Sequence, residues 1–208
     1  MRRLAAWLLI FCLLPVCASA APQTPYDPGL MLRYQMLTAS QKTLFDLLYT
    51  AAKNGETTAE LPSGTTYNDT VAAMDALLDD CPELCALESR YSIRYYQQAP
   101  NIATAVELSY ALPLQTQETL LETARALTED AAGDAYTREL CLHDALCART
   151  SYDLTTAAQA TAYGALVEGR AGCEGYAQAM ILLCRLAGIP SGLVSGTAWS
   201  EGAAERHA

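Results

Sequence analysis

Apolar residues recur at helical spacing in several stretches of the chain, separated by shorter runs with strand spacing. The first helical pattern runs from Thr38 to Lys53. Leu44, Leu47, Leu48 and Ala51 share a face there, behind Thr38 or Ser40 as cap, and Asn54-Gly55 ends it. Thr57 to Leu61 alternates and stops at Pro62-Ser63-Gly64, which predicts a short strand and a turn. A second helix is expected after Asn68 or Asp69 as cap, with Val71, Met74, Leu77 and Leu78 on one face and Asp79-Asp80-Cys81-Pro82 at its end. Tyr91 to Tyr96 and Ile102 to Leu112 read as a hairpin joined through Gln97 to Asn101, and helices return at about Thr116 to Asp130 and Asp134 to Arg149.

The most apolar pattern starts at Cys173. Tyr176, Ala177, Met180, Ile181, Cys184 and Ala187 follow it at helical spacing, and Leu182, Leu183 and Leu186 widen the face, so this helix is central. Gly188 and Pro190 supply its stop. Gly192 to Ala198 then reads as a strand, and a turn through Ser200-Glu201-Gly202 starts a second strand near His207. The fold class expected is α+β, with a helical and mixed N-terminal region followed by a core built around the cysteine-bearing helix on an antiparallel sheet. The Ala131-Ala132-Gly133 break divides residues 21–133 from 134–208.

The start of the chain follows a different pattern. Arg2 and Arg3 precede an apolar run from Leu4 to Leu14, then Pro15 and Ala18-Ser19-Ala20, the layout of a cleaved secretory signal over residues 1–20. A spanning helix needs about 20 apolar residues, so no stable membrane span is expected. The following Pro-rich leader, Ala21 to Gly29, is expected to lack regular structure. Export changes the remaining arithmetic. The 208-residue chain has net charge −10 and is 51% hydrophobic. Without Arg2 and Arg3 its 13 basic residues become 11 against 23 acidic ones, a net −12, which argues against a nucleic-acid partner. Of eight cysteines, Cys12 and Cys17 leave with the signal. Cys81, Cys85, Cys141, Cys147, Cys173 and Cys184 remain, an even set that suggests disulfides in an exported chain, with Cys81 and Cys85 close enough to pair.

Chemistry concentrates at the start of the central helix. A thiol in the first turn lies at the positive end of the helix dipole, which favours thiolate. Gly172 and Gly175 flank it without side chains, leaving room for a substrate backbone, and the Cys173 N–H is placed as an oxyanion donor. The competing reading of Cys173 is a small core hydrophobe. The thiol needs a base, and the chain has two histidines, His143 and His207. The Cys173 helix rises about 22 Å, and the next strand returns about 20 Å, so the chain comes back to the level of the cysteine before it reaches His207. His143, on a mixed helical face, reads as structural. No cofactor or metal is called for.

Those residues resemble secreted bacterial transglutaminase-like proteins of the papain-like cysteine enzyme superfamily. The resemblance rests on the His143-Asp144 helix ending in SYD at Ser151 to Asp153, and on AYGALVEGRAGCEGYAQA from Ala162 to Ala179. GIP at Gly188 to Pro190, VSGTA from Val194 to Ala198 and the final HA extend it. It implies a thiol acyl-transfer site with Cys173 as nucleophile and His207 as base, acting on amide bonds of proteins or peptides at the cell surface or cell wall. It also implies an orienting aspartate after His207, so the sequence is expected to be C-terminally truncated. A catalytically silent surface or cell-wall binding module on the same fold is the alternative.

Overall fold

The computed structural model describes residues 24–200 and 203–207. The expected signal segment, with Cys12 and Cys17, lies outside the described residues. Among those described, no helix is long and apolar enough to cross a membrane.

The first part of the fold is built on two capped helices. α1 (Leu32–Met36) is a single short turn that leads into α2 (Ala39–Asn54). Thr38 starts α2: its hydroxyl accepts the Gln41 N–H at 3.4 Å while the Gln41 side-chain oxygen accepts the Thr38 N–H at 3.0 Å, a reciprocal box. Gly55, in the left-handed region at φ 75°, ends it. After β1 (Thr58–Glu60), α3 (Tyr67–Asp80) begins one residue after Thr66, whose hydroxyl accepts the Asp69 N–H at 3.1 Å. The cap is therefore Thr66, because its extended backbone aims the hydroxyl into the first turn, whereas Asn68 and Asp69 already lie inside the helix.

β2 (Ser92–Tyr96) and β3 (Ala99–Glu107) form the expected hairpin, tighter than the sequence suggests and shorter at its far end. β1 adds to the other edge of β3, giving an antiparallel sheet of order β1-β3-β2, with Ala59 and Ile93 both opposite Val106. Phe45 and Leu48 of α2, Met74 and Leu77 of α3, and Val106 of the sheet are fully buried together.

A second core follows. α4 (Gln115–Thr128) and α5 (Ala135–Arg149), the latter capped by the Asp134 carboxylate on the Thr137 N–H at 2.8 Å, pack against α6 (Cys173–Leu186). Leu120, Leu142, Leu166, Leu182 and Leu183 are its largest fully buried side chains. Between α5 and α6 run β4 (Ser151–Tyr152), a π-helical turn over Gly164–Glu168, and β5 (Arg170–Ala171), which pairs in parallel with β4. After α6, the strand expected from Gly192 is delayed to β6 (Gly196–Ser200). It pairs antiparallel with β7 (Ala203–His207), placing Gly196 opposite His207.

Helix α6 is buried more widely than its apolar face requires. Gln178 and Arg185, which a helical pattern assigns to the solvent side, are 7% and 0% exposed. The first core covers them. Gln178 donates through Nε2 to the Leu78 carbonyl at 3.2 Å, and Arg185 lies 3.6 Å from the Glu83 carboxylate and 3.3 Å from the Pro25 carbonyl.

Candidate functional site

The start of α6 is set by the chain that precedes it. Ser151 pairs with Arg170 and Tyr152 with Ala171, so a two-residue parallel ladder aligns the approach to the helix. The Asp153 N–H donates to the Ala171 carbonyl at 3.0 Å, and the Gly172 N–H to the Gln159 carbonyl at 2.9 Å. One turn into the helix, the Tyr176 hydroxyl donates to the Thr150 carbonyl. Cys173 therefore opens α6 from a backbone tied down on both sides, and no side chain caps the first turn above it.

Gly172 and Gly175 are also required by packing. A Cβ on Gly175 would lie 2.4 Å from the Gln159 carbonyl oxygen and 3.0 Å from that of Thr161, and one on Gly172 would lie 2.6 Å from the Leu154 side chain. The missing side chains make room for the protein's own 154–161 loop. At both positions a side chain would collide with that loop.

Cys173 is half-buried and lines a cleft of about 740 Å³. His207 lines the same cleft from the end of β7, with its side chain exposed, alongside Leu193 and Ser195 from the segment before and at the start of the hairpin. The opposite wall comes from the first core: Arg33 and Met36 of α1, Asp75 and Asp79 of α3, and Tyr91 just before β2. Arg33 and Asp79 form an ion pair at 3.0 Å across that wall. The Tyr91 hydroxyl donates to Asp75 at 3.4 Å, and burial, with the Asp75 charge, pushes its pKa up to about 12, so it acts as a neutral donor. These wall residues carry no motif. In the sequence Asp75 and Asp79 form an i, i+4 acidic pair on α3.

Other thiols differ in setting. Cys81, Cys85 and Cys184 are buried, and loss of solvent raises all three, Cys85 and Cys184 to about 11 and Cys81 well above the ordinary thiol value, so they stay neutral. No disulfide links the described cysteines; Cys81 and Cys85 are both free, and the Cys85 sulfur faces the Thr116 hydroxyl at 3.6 Å. His143 is exposed on α5, between the Asp144 carboxylate at 3.1 Å and the Cys147 sulfur at 3.6 Å, and does not line the cleft. No group of three or more His, Cys, Asp or Glu suited to a metal ion occurs among the described residues.

Residues 122–208 match the family profile of the Transglutaminase-like superfamily. The match takes in α5, the 150–172 approach, α6 and the β6–β7 hairpin, and so includes both Cys173 and His207. The first core and the wall it contributes to the cleft lie upstream of it. A comparison with curated proteins finds no match.

Proposed function

We propose that the protein is an exported enzyme of thiol acyl transfer, acting on amide bonds of proteins or peptides through Cys173 and His207. The observation that carries this reading is that the cysteine opening α6 and the histidine ending β7 line one cleft, inside a region that matches the Transglutaminase-like superfamily.

The chemistry follows from the groups present. His207 takes the Cys173 proton, and the sulfur adds to the amide carbonyl, whose π electrons move to oxygen. The uncapped N–H groups of the first turn of α6, Cys173 among them, are the available donors to that oxyanion. Collapse expels the amine, which leaves with the proton held by His207, and a thioester remains on Cys173. Water, activated by the same imidazole, releases an acid; an amine in its place gives a new amide. Arg33, Asp75, Asp79 and Tyr91 form the wall against which a polar chain can lie. The leader pattern at residues 1–20 supports export from a bacterial cell, and N-terminal sequencing of the secreted protein is expected to begin at Ala21.

Alkylation with iodoacetamide tests the pair. Cys173 is expected to react at least tenfold faster than the exposed Cys141 and Cys147, and His207→Ala to remove that advantage while leaving the other two rates alone. Equal rates at all three thiols would reduce Cys173 to a packing residue and leave a binding module as the reading.

A further inference from the structure

A second row of reactive side chains lies outside the cleft, on the exposed face of α5. His143 and Cys147 stand one turn apart there, and Asp144 follows the histidine. The His143 Nδ1 lies 3.1 Å from Asp144 Oδ1, and its Nε2 lies 3.6 Å from the Cys147 sulfur. An ionised carboxylate only accepts, so the neutral ring carries its hydrogen on Nδ1 and turns the lone pair of Nε2 toward the S–H. The atoms therefore run carboxylate, imidazole, thiol, the order in which a base is held beside a sulfur nucleophile. Cys141, on the same helix, is exposed as well. Two positions from His143, it faces another way.

The position of the row decides which reaction suits it. Cys147 lies inside α5, where the helix itself takes up the backbone N–H groups, so no donors are left for an oxyanion. Neither His143 nor Cys147 lines the cleft, so no wall of it holds an acyl group against this thiol. Thiol–disulfide exchange needs neither, because charge passes only from sulfur to sulfur. We propose that Cys147 is a modification site for low-molecular-weight disulfides, with His143 as its base. His143 Nε2 takes the thiol proton, the Cys147 sulfur attacks one sulfur of the small disulfide, and the S–S bond breaks with its electron pair on the other sulfur. That sulfur leaves as a thiolate and takes the proton back from His143. Cys147 is thereby oxidised to a mixed disulfide, and the departing half of the reagent is reduced to a thiol. The mixed disulfide is the end point. Cys141 is six residues away, about 9 Å of helical rise, beyond the ~7 Å between Cα atoms that a disulfide spans. Cys81, Cys85 and Cys184 are buried, and Cys173 lies in the cleft. The site stands independently of the acyl-transfer reading, since its residues lie apart from that cleft.

Bis(2-hydroxyethyl) disulfide, which carries no charge, tests the site on the full chain, with the modified cysteines identified by peptide mass mapping. Cys147 is expected to form its mixed disulfide about fivefold faster than Cys141, the reference on the same helix. His143→Gln, which keeps a polar side chain but takes no proton, is expected to bring the ratio of the two rates close to one. The buried Cys184 checks the fold, since it stays unlabelled while α6 is packed. Where His143→Gln exposes Cys184, His143→Asn takes its place. Equal rates at Cys147 and Cys141 in the wild type, a preference that survives loss of the imidazole, or a crosslink between Cys141 and Cys147 overturns the proposal. Labelling of Cys173 has no part in any of these outcomes.

Discussion

Gly175 shows how closely single atoms decide this site. One methyl group there would press into the Gln159 carbonyl and the Ala171 side chain, at 2.4 Å and 2.8 Å, and neither can yield without moving the backbone that leads into α6. Gly175→Ala is therefore expected to lower stability by about 1–3 kcal/mol, the usual cost of overfilling a packed site. Thermal unfolding should fall accordingly, and Cys173 alkylation should slow as the first turn shifts. An unchanged melting temperature would mean that the 154–161 loop gives way freely. Gly64, by contrast, has nothing within 4 Å of the position of a Cβ, so crowding plays no part there and only its φ of 86° favours glycine.

The helices begin and end where local chemistry tells them to. Thr38 closes a reciprocal box with Gln41, whereas the Ser40 hydroxyl meets only that of Thr38, at 3.1 Å. Thr38→Ala is expected to cost about 1 kcal/mol in urea unfolding, and Ser40→Ala much less. Signals of this kind are local, which is why α2, α5 and the start of α6 at Cys173 could be located from residue patterns alone. Contacts between distant segments leave no such trace. Gln178 and Arg185 sit at polar positions of an otherwise apolar helix, and nothing near them in sequence announces that Leu78 and Glu83 will cover them. The same holds for the cleft. Cys173 and His207 could be brought together by counting rises along a helix and a strand, but the facing wall of Arg33, Asp75 and Tyr91 comes from elements with no chemical motif of their own. The late start of β6 has a similar cause: Met31 forms a parallel bridge with Ser191, and the chain runs past the first core before the ribbon begins.

At the scale of the whole molecule, the two cores are held together by a buried charge as well as by apolar contact. Arg185, fully buried, faces Glu83 at 3.6 Å, with Asp80 and Tyr49 also near Glu83 and Cys81 beside them. Burial raises the Glu83 carboxyl to about 7 against the opposing pull of Arg185, and it raises Asp80 in the same direction. A carboxyl whose folded value lies above its unfolded one holds its proton more tightly when folded. Its contribution to stability is complete below about pH 4.5 and fades as pH rises through about 7. Glu83→Gln, which stays neutral throughout, is expected to gain on the wild type as pH rises from 5 to about 7.5 in paired unfolding measurements. A difference between the two that does not change with pH would place the titration elsewhere. The joint that carries this charge also has a bearing on descent. Cys173 and His207 sit within the stretch that matches the superfamily, while the facing wall of the cleft, with Arg33, Asp75 and Asp79, is supplied by a neighbour with a separate interior. Selection can then act on the upstream half as a replaceable faceplate, and a graft of that half from another protein would give the Cys173 cleft a new facing wall provided it brings its own partner for Arg185.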